Sequence, residues 1–185
     1  MVSYLVNNAG TSAYLAAGFA IVSFAALFIF FAGVSVFGPI NDFLSIFQML
    51  FLIPVALVLH LMVRQTAPAI SFLVTAGAIL ALSSIAILQS LLVLRAVSFE
   101  QTLRPILILG VVLGLWWLVT GVLSITSSAL PSGLAWTGMI AGASYIVIAI
   151  GFWLSGPQHP LAAIGFLVGA IASPVWAIWL GRLLS

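Results

Sequence analysis

Six long apolar stretches dominate this sequence and leave few folds open to it. A helix needs about 20 mostly apolar residues to cross the roughly 30 Å of hydrocarbon in a bilayer. Stretches of that length lie at residues 13–37, 42–63, 69–94, 103–125, 134–154 and 161–183. Membrane β-strands are shorter and alternate in polarity. The pattern therefore predicts an all-α integral membrane protein, a bundle of about six transmembrane helices with short loops, as one domain over residues 1–185.

The few charged residues support these boundaries, because all of them lie at or near the ends of the apolar stretches. Only 3% of the 185 residues are charged and 65% are hydrophobic, whereas soluble domains carry roughly a quarter charged residues. An arginine at the centre of a membrane helix costs about 2.5–3.5 kcal/mol on insertion scales. We therefore expect a multi-pass protein of the cell membrane, surrounded by lipid.

The same inventory excludes several classes of function. Four arginines without a cluster, and no lysine, cannot form the basic face that binding to nucleic acid requires. The absence of cysteine excludes disulfides and thiolate metal sites. We find no GxSxG, HExxH, phosphate-binding or paired-carboxylate motif, so the sequence predicts no catalytic residues, no metal site and no enzymatic activity.

Six crossings place both chain ends on one membrane face. The loops after the first, third and fifth helices then share the opposite face, which carries Asp42, Arg95, Glu100, Arg104 and His159. Arg64 and Arg182 lie on the face of the chain ends. The positive-inside rule gives no orientation, because two arginines fall on each side.

Turn-forming residues predict where two of the helices begin. Residues 38–41 (GPIN) predict the first loop, with Asn41 or Asp42 as the N-cap of the second helix. Pro105 suits the first turn of the fourth helix, where its missing N–H is harmless.

Tryptophans are typical of the lipid headgroup region, and four of them lie near predicted helix ends: Trp136, Trp153, Trp176 and Trp179. Trp116 and Trp117 differ because they fall in the middle of the fourth helix. They can pack between helices, face a partner or face lipid.

Three consecutive helices carry Gly-xxx-Gly motifs. Helices in lipid associate through close backbone approach, which small residues allow. The motifs therefore predict tight packing of the fourth, fifth and sixth helices through Gly110, Gly114, Gly138, Gly142, Gly165 and Gly169.

Polar residues converge on the face of the odd-numbered loops: Asp42, Gln48, Gln89, Glu100, Arg104 and His159. Asn41, Ser45 and Gln48 form a stripe at i, i+4 and i+7 that enters the second helix. One interpretation is a polar vestibule for a ligand. The other is a set of solvated loop residues that cap helices, with Glu100 paired to Arg104 at i, i+4.

His60 is the candidate cofactor ligand. It lies about one turn before Arg64, so a hydrogen-bonded histidine near the headgroups is the ordinary interpretation, and axial ligation of a haem or pigment is the alternative. A bis-histidine haem is not expected, because His159, the second candidate histidine, is predicted on the opposite membrane face. The sequence requires no cofactor, although a lipid or pigment could bind.

Two short segments, 174–184 (PVWAIWLGRLL) and 133–138 (GLAWTG), resemble parts of small bacterial six-helix membrane proteins grouped as a domain of unknown function. The resemblance implies a six-helix protein of the bacterial inner membrane and brings no catalytic residues with it.

Three functions fit these observations. The first is a non-catalytic accessory or structural subunit that packs with other integral membrane subunits or with itself, in an energy-transducing complex. The second is a small transporter or channel, favoured by the vestibule and by Pro54 and Pro174 inside the second and sixth helices. The third is a pigment-, quinone- or lipid-binding protein that uses His60 or the mid-span tryptophans.

Overall fold

The computed structural model describes residues 2–156 and 158–185, and all regular structure in these residues is α-helical. The elements are α1 Val2–Phe31, α2 Phe37–Val63, α3 Pro68–Val93, α4 Phe99–Ser127, α5 Ser132–Ser155 and α6 Pro160–Leu184. Each helix contains a stretch long and apolar enough to cross a membrane. The prediction of an all-α, six-helix, multi-pass membrane protein is therefore confirmed.

The six helices follow one another around a closed ring. Each helix packs against the next one along the chain, and α6 packs back against α1. Neighbours run antiparallel: Ser23 near the end of α1 bonds Asn41 near the start of α2, and Gly10 near the start of α1 lies against Leu184 at the end of α6. The start of α1 and the end of α6 thus share one face, and the loops after α1, α3 and α5 share the other.

The first loop lies earlier than the sequence predicted. Helix α1 ends at Phe31, and Gly33 adopts φ +101°, a left-handed conformation that favours glycine. Pro39 lies within the first turn of α2, where backbone N–H groups have no partner inside the helix, so the missing N–H costs no hydrogen bond. The N-cap is Val36, which makes no side-chain cap. The prediction that Asn41 or Asp42 caps α2 was wrong, because both lie inside the helix.

Helix α4 begins at Phe99, one turn before the predicted start. Ser98 and Gln101 form a capping box: Ser98 N donates to Gln101 Oε1 at 2.8 Å, and Gln101 N donates to Ser98 Oγ at 3.4 Å. This reciprocal pair satisfies two backbone donors at the helix start. Pro105 consequently lies in the helix interior and not in its first turn.

All six motif glycines of α4, α5 and α6 lie within contact distance of a neighbouring helix. The tightest contact joins α4 to α5, where a Cβ on Gly142 would lie 2.5 Å from the Gly114 carbonyl oxygen and a Cβ on Gly114 would lie 2.6 Å from the Gly142 carbonyl oxygen. Gly165 of α6 meets the α5 backbone at Ser144 O and Ile148 N, and the other motif glycines face single side chains: Gly110 faces Tyr145, Gly138 faces Trp176 and Gly169 faces Ser144. The motifs therefore serve contacts inside this chain.

Three buried indoles fill the half of the ring on the face of the chain ends. Trp176 was predicted at the headgroups but is only 2% exposed, because Gly138 of α5 leaves room for its ring. It meets Trp116 and Trp117 edge-on, with centroids 6.2 and 5.5 Å apart. We call Trp116, Trp117 and Trp176 the tryptophan plug. Trp136, Trp153 and Trp179 are exposed on the outer surface.

We predict that Gly114→Ala lowers the free energy of unfolding by about 1–3 kcal/mol, since the added methyl must push α4 away from the α5 backbone. Gly18→Ala is the matched control, because a Cβ at Gly18 meets nothing within 4 Å. Unfolding of both variants in detergent checks the prediction. Equal stability of the two would show that the α4–α5 backbone contact is not close.

Candidate functional site: a cavity inside one end of the ring

The half of the ring opposite the tryptophan plug holds a cavity of about 390 Å³, to which all six helices contribute. Its polar lining consists of Ser23, Asn41, Asp42, Ser45, Gln48, Gln89 and Tyr145. The rest is almost entirely aliphatic and phenylalanine side chains. Ligand pockets in proteins commonly measure roughly 300–1,000 Å³ and combine apolar walls with a few polar groups. The cavity fits that description.

The cavity reaches from the helix ends to about the middle of the bundle. Asp42 lies five residues after the start of α2, which is about 8 Å at about 1.5 Å per residue. Gln48 lies eleven residues after that start, and Gly110 lies eleven residues after the start of α4, both about 16 Å deep. Gln48, Gly110 and Tyr145 therefore form its floor.

A hydrogen-bonded network joins α1 to α2 along one side of the cavity. Ser23 Oγ donates to Asn41 Oδ1 at 2.8 Å and lies 2.9 Å from Ser45 Oγ. Asn41 Nδ2 in turn donates to an Asp42 carboxylate oxygen at 3.4 Å. That distance exceeds the ordinary 2.7–3.2 Å range, and a carboxylate can accept several hydrogen bonds. Asp42 therefore has capacity for a further donor.

The floor separates the cavity from the opposite membrane face. Tyr145 and Gln48 both line the cavity, and the ring of Tyr145 lies against Trp117 with centroids 5.2 Å apart. A void of about 10 Å³ lies between Gln48 and Trp117, which is barely the space of one water molecule. The tryptophan plug therefore closes the path through the ring.

Gln89 supplies an unused acceptor. The residue lines the cavity and is 8% exposed, and its Oε1 has no hydrogen-bond partner in the part of the chain that the structure describes. An unsatisfied buried polar atom costs about 1–3 kcal/mol. The atom itself is covered by its neighbours, so a ligand's donor would reach it only if the Gln89 side chain rotated.

The structure brings together three of the six residues of the predicted vestibule. Asp42, Gln48 and Gln89 line the cavity, whereas Glu100 and Arg104 are exposed on the first turns of α4 and do not. His159 does not line the cavity either; its Nδ1 accepts a hydrogen bond from Leu161 N at 3.2 Å and caps α6.

His60 lies away from the cavity, in the half near the face of the chain ends. Its Nδ1 is 2.8 Å from the Oγ of Ser71, which is buried, and its ring meets Phe72 edge-on. These contacts tie α2 to α3, and the ligand role for His60 stays a prediction. Within residues 2–156 and 158–185, no three His, Cys, Asp or Glu side chains are grouped to hold a metal ion.

Two polar residues of the lining were not predicted from the sequence. Ser23 and Tyr145 are single polar positions in otherwise apolar stretches, and such positions are common in membrane helices. Asn41 and Ser45 belonged to the predicted stripe of α2. The periodicity of the stripe therefore indicated which residues of α2 line the cavity. No pattern in the sequence indicated Ser23 of α1 or Tyr145 of α5.

Comparisons of the chain with protein-family models, curated proteins and solved structures found no match. The resemblance of segments 133–138 and 174–184 to a bacterial family stays a prediction. Function is therefore inferred from the geometry of the cavity.

We predict that a cysteine at position 45 reacts with a small methanethiosulfonate reagent and that a cysteine at position 124 does not. Ser45 lines the cavity, whereas Ser124 is 0% exposed and lies in the closed half. The chain has no cysteine of its own, so the mass shift of Ser45→Cys and Ser124→Cys reports each site alone. Equal labelling rates would contradict the division into an open and a closed half.

Proposed function

We propose that this protein binds a small, mostly apolar molecule in the cavity at one end of its six-helix ring, and that it does so in the bacterial inner membrane. The observation that carries the proposal is the cavity of about 390 Å³, with apolar walls and polar groups on one side and at the floor. Close-packed interiors rarely contain voids larger than a water molecule. The space lies at one end of a helical ring, and its size and lining are those of a ligand pocket.

The proposed activity is binding and not catalysis. The described lining residues include one carboxylate, that of Asp42, and no imidazole, thiol or amine. General acid–base or nucleophilic catalysis uses a titratable group in hydrogen-bond reach of a second group that it activates or that orients it. Asp42 has only the neutral amide of Asn41 in that position.

Among the predicted ligand classes, the cavity favours molecules held without metal ligation. His60 is not one of the lining residues, so it cannot ligate a haem or pigment placed there. A lipid, a quinone or another apolar molecule needs only apolar walls and a few hydrogen-bonding groups, and the cavity supplies both.

Two further functions stay as secondary proposals. The accessory-subunit function has less support, because the Gly-xxx-Gly motifs are used in contacts within the chain, and the exposed apolar helix faces suit lipid as well as a partner. A transporter would use the same cavity but would require the tryptophan plug to open. Pro54 and Pro174, inside α2 and α6, are positions where helices can bend.

We predict that filling the cavity abolishes binding. Gly110 lies on the floor, and a Cβ there would have only Tyr145 Cδ1 nearby, at 3.7 Å, so Gly110→Leu adds a side chain to the cavity without a backbone clash. The probe is 2-naphthylmethanol, a neutral apolar molecule, measured by equilibrium dialysis against lipid nanodiscs with and without the protein. We expect Gly110→Leu to weaken binding by about tenfold or more, which is about 1.4 kcal/mol.

Gly77→Leu is the control for that experiment. A Cβ at Gly77 would meet Val112 Cγ1 at 3.6 Å, a similar ordinary contact, and Gly77 does not line the cavity. We expect this variant to bind the probe as the wild type does. Equal binding by the wild type and Gly110→Leu, or no binding by the wild type, would contradict the proposed function.

A further inference from the structure

We propose that the ligand of the cavity is a lipophilic organic cation, a protonated amine that carries an apolar body. The inference rests on the proposed function and specifies the chemistry of the ligand. Three independent features of the lining carry it: its charge, its unused acceptor and its aromatic walls.

The first feature is the sign of the charge. Asp42 is the single charged side chain among the described lining residues, and no arginine, lysine or histidine accompanies it. Ionisable residues within membrane helices are costly and almost always pair with an opposite charge or a polar partner. Asp42 has only a 3.4 Å hydrogen bond from the neutral Asn41 amide. The negative charge of Asp42 therefore has no positive partner in the lining, and a cationic ligand would supply one.

The second feature is the position of Gln89. It lies four residues before the end of α3, about 6 Å from that helix end, while Asp42 lies about 8 Å from the start of α2. Because α2 and α3 are antiparallel neighbours, the two residues are at nearly the same depth. Gln89 Oε1 has no donor, and an ammonium group carries several N–H donors but no acceptor. Asp42 thus offers an acceptor at this level of the cavity, and Gln89 would add a second one if its side chain rotated from its covered position.

The third feature is the aromatic content of the walls. Six phenylalanines line the cavity: Phe24, Phe30, Phe31, Phe99, Phe152 and Phe166. Phe166 links Phe31 and Phe152, with ring centroids 5.9 and 6.0 Å away, so the wall runs continuously across α1, α6 and α5. Aromatic faces attract cations through the ring quadrupole and also bury apolar surface. Such a wall suits both parts of a lipophilic amine.

The same lining disfavours other ligands that carry a positive charge. A transition-metal ion is held mainly by His, Cys, Asp and Glu side chains, and no group of three of these residues in the described chain is placed to hold one. A phospholipid with an amine headgroup also carries a phosphate, and the described lining residues include no cationic side chain to pair with it. A simple amphiphilic amine fits without an unpaired charge.

The test compares 2-naphthylmethylamine, which is protonated at neutral pH, with its neutral analogue 2-naphthylmethanol. Both are measured by equilibrium dialysis against nanodiscs of zwitterionic lipid, with protein-free discs subtracted. Because hydrogen bonds to charged groups are roughly twice as strong as neutral ones, we expect the wild type to bind the amine about tenfold more tightly than the alcohol.

Two isosteric variants assign that preference to Asp42. Asp42→Asn removes the cavity charge, and we expect it to bind the amine and the alcohol equally. Glu100→Gln removes the exposed carboxylate of the same membrane face, which lies outside the cavity lining, and we expect it to keep the preference of the wild type. Loss of the preference in Glu100→Gln alone would overturn the inference, because the attraction would then be a surface effect.

Gln89→Leu provides a second readout that does not depend on Asp42. We expect it to raise the melting temperature of the ligand-free protein, since it removes an unsatisfied acceptor, and to weaken binding of the amine more than of the alcohol. A residue with only a structural role would lower the melting temperature and change both affinities alike, and that result would overturn the role of Gln89.

The failures of the two proposals can be told apart. If the wild type binds both probes equally and Gly110→Leu blocks both, the cavity binds ligands but not preferentially cations, and this inference is wrong. If a lysophospholipid with an amine headgroup displaces the alcohol and the amine does not, the inference is also wrong. If neither probe binds the wild type, the proposed function itself fails.

Discussion

Close contact between the glycines of α4 and α5 is the interaction on which the rest of the ring depends. Around Gly114 and Gly142 the two backbones nearly touch, and this approach brings Trp117 into the interior beside Trp116 and Trp176. One turn nearer the cavity, a Cβ on Gly110 would lie 3.7 Å from Tyr145, which is an ordinary contact distance. Helices α4 and α5 are therefore close together in the half filled by the tryptophan plug and farther apart at the floor of the cavity. This change of packing along α4 divides the ring into those two halves.

The half of the ring that holds the cavity contains polar groups that would be costly on a lipid-facing surface. Ser23, Asn41 and Ser45 bond one another across α1 and α2, and Asp42 stands next to this network with one long hydrogen bond. On the adjacent helix, Gln89 contributes an acceptor without a donor. Networks of this kind are stable when every member is satisfied. In this one the Asp42 carboxylate accepts only one long hydrogen bond among the described residues, and its spare acceptor capacity gives the cavity a chemical preference.

The number and approximate limits of the helices could be predicted from the sequence, because the cost of placing polar residues in hydrocarbon acts on each segment separately. The misplaced starts of α2 and α4 depended on local signals that outweighed the proline positions, namely the left-handed Gly33 and the capping box of Ser98 with Gln101. For the candidate site, the chain order alone places Asp42, Gln48 and Gln89 at one end of the bundle, and all three line the cavity. Glu100 and Arg104 belong to the same end but do not line the cavity, because depth does not give the rotation of a helix about its axis. The burial of Trp176 and the cavity volume depend on contacts among several helices, which no local pattern encodes.

Locating a ligand in the protein tests most directly whether the cavity is a binding site. A structure determined with a brominated naphthylmethylamine, with the bromine found by its anomalous scattering, shows where the molecule binds. We expect one strong bromine site inside the ring, with the amine beside Asp42. Bromine found only on the lipid-facing surfaces, with the cavity filled by rearranged side chains, would contradict that expectation.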